Sequence, residues 1–129
     1  MSRTVQVTFD CADPNALAGF WNEALGYHYD APPPGFATWE EALDHFGVPE
    51  EDRNNASASV DPDGVGPRLW FQKVPEGKVA KNRQHFDLRV VGSIPDEVRR
   101  LTALGGRVLR EDGDPIWMAD PEGNEFCVE

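Results

Sequence analysis

Signals for strands and helices run through this chain twice in the same order, and that repetition constrains the fold more than any single motif. Residues 4–9 alternate, with Val5, Val7 and Phe9 on one side and Gln6, Thr8 and Asp10 on the other, as in a strand with one apolar face. Asp13-Pro14 then supplies a helix cap and a proline at the first helical position, and Leu17, Phe20, Trp21 and Leu25 follow at helical spacing until Gly26. A short strand is expected over 27–30, ended by Ala31-Pro32-Pro33-Pro34-Gly35. Thr38-Trp39-Glu40-Glu41 reads as a capping box that opens a short helix through Phe46, and the polar stretch 48–55 is expected to be mobile. Residues 56–60 and 68–74 read as a hairpin joined by Asp61-Pro62-Asp63-Gly64-Val65-Gly66-Pro67.

The second half repeats this order. Residues 85–90 alternate, Phe86, Leu88 and Val90 against His85, Asp87 and Arg89. A helix is expected from about Pro95, carrying Val98, Leu101 and Leu104 and stopping at Gly105-Gly106, followed by strands over 107–110, 116–119 and 124–128. Asp120-Pro121-Glu122-Gly123 stands before the last strand, as Asp61-Pro62-Asp63-Gly64 stands before the last strand of the first half. Written as elements, each half is βαβββ, so the fold class is α+β.

Bulk properties narrow the function. A chain of 129 residues with 40% hydrophobic content can bury a core without disulfides or structural metal. Twelve basic residues against twenty-three acidic ones give a net charge of −11, which repels nucleic-acid phosphates and anionic membranes, so neither is an expected partner. No apolar run approaches the ~20 residues of a membrane span, and no apolar signal segment opens the sequence, so a cytoplasmic location is expected. Cys11 and Cys127 have no CxxC spacing and are expected as buried free thiols.

In four stretches the chain resembles the vicinal oxygen chelate superfamily, which unites glyoxalases, bleomycin-resistance proteins and extradiol dioxygenases. They are Asp13-Pro14 with Phe20-Trp21 and Ala24-Leu25-Gly26, the run 69–76, the run 81–88, and Gly123-Asn124-Glu125-Phe126-Cys127-Val128. The resemblance is to its glyoxalase-like branch, frequent in actinobacteria. It implies tandem βαβββ modules, about 1–75 and about 80–129, whose curved mixed sheets form a cleft with helices outside, and a homodimer as the assembly; the insertion over 31–55, longer than a two-strand connection requires, reads either as a lid over the cleft or as a dimer contact. It also implies an octahedral divalent ion held by four inner-face ligands in the metal-dependent members.

Carried onto this sequence, the four ligand positions fall on Gln6, on Gln72 or Trp70, on His85 and on Cys127. A set of two amides, one imidazole and one thiol suits no single metal well, since hard ions prefer oxygen and thiolates select softer ones. No cofactor is therefore expected beyond a weakly held divalent metal. The alternation places Gln6, Thr8, Asp10, His85, Asp87 and Arg89 in the cleft, with Glu125 and Cys127 on the last strand and Trp70 and Gln72 on the hairpin.

His85 is the candidate catalytic residue, as an acid or base or as a metal ligand; the alternative is a histidine simply oriented by a carboxylate. Asp87 and Arg89 are expected to pair with each other, unless Arg89 anchors a carboxylate or phosphate. Trp70 offers a flat wall for a ring, while Trp21 is expected in the core. Lys78, Lys81 and Arg83 read either as a steering cluster for an anion or as a solvated linker. The reading that follows is a protein binding a small, partly aromatic or anionic molecule, with Thr8, Asp10, Trp70, Gln72, Asp87, Arg89 and Glu125 as ligand contacts. The alternative is a metal-dependent lyase, isomerase or dioxygenase working through His85.

Overall fold

Eight strands and three helices form in the computed structural model, which describes residues 1–129. The chain divides into two units, Met1–Pro75 and Glu76–Glu129. The first contains β1 (Gln6–Cys11), α1 (Pro14–Leu25), β2 (His28–Tyr29), α2 (Trp39–His45), β3 (Ala56–Val60) and β4 (Arg68–Lys73). The second contains β5 (Phe86–Leu88), α3 (Ile94–Ala103), β6 (Arg107–Arg110), β7 (Ile116–Ala119) and β8 (Glu125–Val128). Each unit has one four-stranded mixed sheet, ordered β1-β4-β3-β2 in the first and β5-β8-β7-β6 in the second. The fold is α+β and built of two βαβββ units, the excursion carrying α2 apart.

In the first unit Asp13 accepts from the Ala16 amide, Pro14 occupies the first turn of α1, and Gly26 closes the helix in the left-handed conformation at φ 74°. The buried side of α1 packs on β3 and β4 and supplies Leu17, Phe20 and Trp21 to a core shared with Leu69 and Phe71. Phe9 stacks on Phe71 with ring centroids 5.1 Å apart and lies 5.7 Å from Trp21. Truncating a buried aromatic such as Trp21 to alanine typically costs roughly 3–5 kcal/mol. In the second unit α3 covers β6 and β8, and Leu101, Met118, Phe126 and Val128 are fully buried. Gly106 is required by close approach, because a Cβ there would stand 2.9 Å from the Leu101 carbonyl oxygen.

Several expectations shift at element ends. Val5 lies outside β1 and is 69% exposed, since β1 begins only where pairing with β4 begins. The expected strand over 85–90 shortens to Phe86–Leu88, leaving His85 just ahead of the ladder. Thr38 caps α2 by accepting from the Glu41 amide, but the Glu41 carboxylate turns to the Ala37 amide instead of back to Thr38. The stretch expected to be mobile, 48–55, contains a 3₁₀ turn at Glu50–Asp52 and is tied by Arg53 to the Val48 carbonyl and to Asp44, and by Asn54 to Asp13. No helix is long and apolar enough to cross a membrane.

Candidate functional site

The register of β1 against β4 builds the polar face of the first unit. Gln6 stands opposite Arg68, Thr8 opposite Trp70 and Asp10 opposite Gln72, while Leu69 and Phe71 are buried on the other side. Arg68 is the hub. Its Nε and Nη2 donate to Asp30 Oδ2 at 3.0 and 2.8 Å, and its Nη1 donates to Gln6 Oε1 at 2.7 Å. Its guanidinium carbon lies 5.3 Å from the Trp70 ring centroid, within range of a cation–π contact. Further along the face, Gln72 Nε2 donates to Asp10 Oδ1 at 2.7 Å.

In the second unit the ladder aligns Asp87 with Cys127 and Cys127 with Trp117, so all three share one face. His85 joins them from the residues before β5. Its Nε2 is 3.3 Å from Asp87 Oδ1, and its ring centroid is 4.8 Å from that of Trp117. Lys81 places its ammonium 4.7 Å from the Trp117 ring centroid and pairs with Glu125, whose carboxyl is held below its ordinary value by that ammonium. Cys127 is buried; desolvation first, and then the Asp87 carboxylate, push its thiol up.

The expected Asp87–Arg89 pair does not form. Asp87 faces His85, and Arg89 reaches Glu129 at 3.6 Å with most of its side chain in water. Backbone bonds from the Glu129 amide to the Leu88 carbonyl and from the Val90 amide to the Glu129 carbonyl continue the β5–β8 pairing past the strand end and set Glu129 beside Arg89, so its carboxylate takes the guanidinium while Asp87 meets His85. Both cysteines are free and buried, as expected. Of the basic cluster, Lys81 is committed to Glu125 and Trp117, and Lys78 donates to the Ala80 carbonyl.

Arg68 and Asp30 were not among the expected site residues. Arg68 was within reach of the same alternation that selected Trp70 and Gln72, being two residues before Trp70 on one strand. Asp30 carries no such signal, because it lies in the coil after β2, 38 residues from its partner.

The implied metal does not fit the donors present. Gln6 and Gln72 stand four register positions apart, about 13 Å along the sheet. The Gln6 oxygen already accepts from a guanidinium, whose charge opposes a cation. In the second unit His85, Asp87 and Cys127 offer ligand atoms within 4.8 Å of one another. That set suits a thiophilic ion better than a hard octahedral one, and it would require deprotonating a thiol that burial keeps neutral.

The family model for the glyoxalase-like domain matches residues 6–129. No curated protein matches the chain in sequence. Among solved structures it is similar to a possible glyoxalase from Bacillus cereus, at 16% identity and a TM-score of 0.62, with 99% of this chain and 98% of that one covered. It is also similar to a glyoxalase/bleomycin resistance protein/dioxygenase family enzyme from Burkholderia phytofirmans PsJN, at 14% identity, a TM-score of 0.61 and coverages of 95% and 94%. A third is a mutant of the fosfomycin resistance protein FosX from Listeria monocytogenes, complexed with Mn(II) and 1S,2S-dihydroxypropylphosphonic acid. Its identity is 12% and its TM-score 0.63, with 100% of this chain and 90% of that one covered. Identities this low establish a shared fold and leave the chemistry to the residues.

Proposed function

The chain belongs to the glyoxalase-like domain family, and from that premise we propose that it binds a small, partly aromatic or anionic organic molecule on the polar faces of its sheets, without depending on a tightly held metal. One observation carries this reading: each unit sets a tryptophan beside a basic side chain on its polar face. In the first unit Trp70 lies beside Arg68, and in the second Trp117 lies beside Lys81 and against His85. An indole gives a flat apolar wall at little conformational cost, and a cation fixed beside it gives an anionic group its orientation. Thr8, Asp10, Gln72, Asp87 and Glu125 supply the surrounding donors and acceptors. Arg89 contributes least, being largely solvated. His85, oriented by Asp87, serves as a polar contact on the Trp117 side.

A ligand that binds only the folded state raises its stability, so the test is a thermal-shift and NMR screen of neutral, cationic and anionic aromatic fragments in metal-free buffer. Binding of aromatic or anionic fragments, with resonance changes at Trp70 or Trp117, is expected. Indifference to the whole set, or binding that appears only after a divalent metal is added, defeats the reading.

A further inference from the structure

We propose that Arg68 is an anion-binding residue of the first unit and that its ligand is an aromatic carboxylate, the carboxylate on the guanidinium and the ring against Trp70. This deepens the preceding reading and rests on it.

The geometry of Arg68 is that of a prepared binding group. A guanidinium has five N–H donors. Three are used, two on Asp30 Oδ2 and one on Gln6 Oε1, which leaves one N–H on each terminal nitrogen. Those contacts fix the plane of the group, and Trp70 lies beside it at 5.3 Å. The support extends outward: Asp30 is itself held, because the Trp39 indole N–H donates to the Asp30 carbonyl at 2.8 Å. The Pro-rich excursion and α2 thus fix Asp30, Asp30 fixes Arg68, and the guanidinium stays half-buried with 37% of its side chain exposed.

An ordinary surface ion pair contributes little and needs no such framing. A guanidinium whose orientation is set before the ligand arrives loses little freedom on binding, which is how pre-organisation becomes affinity. Its two remaining donors match the two oxygens of a carboxylate, a recognition that a lysine cannot reproduce. The neighbouring surface selects the rest of the molecule. Trp70 is only half-buried, leaving part of its indole open to a planar ring, and the small side chains of Ala58 and Ala56 stand opposite Trp70 and Gln72 in register. Asp30 is already paired with Arg68, so the incoming carboxylate meets a guanidinium whose charge is partly offset. That offset predicts modest affinity and makes Asp30 a handle on it.

The test is isothermal titration of the full chain with benzoate and with benzamide, its neutral counterpart of the same shape. Benzoate is expected to bind, and benzamide to bind roughly tenfold more weakly, the scale of a lost charge-assisted bidentate contact. Arg68→Lys should weaken benzoate by about tenfold, since it keeps the charge and loses the fork. Asp30→Asn should strengthen benzoate several-fold while leaving benzamide unchanged, because it removes the competing negative charge. Asp30→Asn also keeps the test decisive should Arg68→Lys fail to fold. Trp70→Leu should weaken benzoate and leave acetate unchanged. The proposal is overturned by equal affinity for benzoate and benzamide, by a benzoate affinity indifferent to Asp30→Asn or Arg68→Lys, or by no benzoate binding to the wild type at millimolar concentration. Any of these, alongside fragments that do bind in the wider screen, defeats Arg68 as the anchor while leaving the broader reading intact. Silence from the whole screen defeats both.

Discussion

Cys127 is almost completely buried at 1% exposure on a face it shares with Asp87, and both desolvation and that carboxylate disfavour its thiolate. Its pKa is raised, so the folded state holds the proton more tightly than the unfolded chain does. Stability attached to this group is therefore present below the unfolded thiol value of about 8.5 and falls as pH rises through the folded one. Reaction of the native protein with a thiol reagent at pH 8 is expected to be slow and to become rapid in denaturant; fast native labelling of Cys127, read by mass spectrometry, would contradict this burial. The same thiol bears on metals. Mg²⁺ and Mn²⁺ are expected to leave the melting temperature unmoved, because the Gln6 oxygen faces a guanidinium and the donors near Cys127 do not form a hard-ion set. Any stabilisation by Zn²⁺ should vanish in Cys127→Ser, which a thermal-shift titration reads directly.

The two related turns do different amounts of work for the strands they launch. Before β8, Asp120 is fully buried; its Oδ1 accepts from the Glu122 and Asn124 amides at 2.9 Å each, and its Oδ2 accepts from Asn124 Nδ2 at 2.8 Å. Asp120→Ala leaves those donors without their charged acceptor and should cost about 2–3 kcal/mol by urea denaturation. Before β4, the Asp61 carboxylate accepts from the Gly66, Asp63 and Val65 amides, the first of them at 2.7 Å, and these bonds hold its pKa down. A depressed carboxyl contributes stability above its unfolded value of about 3.9 and loses it as pH falls through the folded value. Asp61→Asn should therefore be less stable than the wild type at neutral pH, with the gap closing in acid. A gap that persists at pH 2 would mean the side chain acts by shape and not by charge.

At the scale of the whole molecule the net charge of −11 sets the behaviour in solution. Like charges repel more strongly in the compact state than in the open chain, so raising the salt from near zero to physiological strength should increase the melting temperature by a few degrees. A fall would mean that attractive pairs such as Arg68–Asp30 and Arg53–Asp44 outweigh that repulsion.

What the sequence determined by itself was local: where alternation makes a strand, which side of it is apolar, where Pro and Gly begin and end helices. Hence both βαβββ orders, the buried Trp21, and the polar faces carrying Trp70, Gln72, Asp87 and Cys127 were legible. These depend on a side-chain period of two or 3.6 residues, which a reader of the chain can count. The tertiary structure alone decided partners. Asp87 went to His85 and Arg89 to Glu129, Lys81 came to lie over Trp117, and Asp30 took hold of Arg68 from 38 residues away. Periodicity assigns a face to each residue, but strand order and register choose its neighbour there, and those are fixed by contacts between segments far apart in the chain.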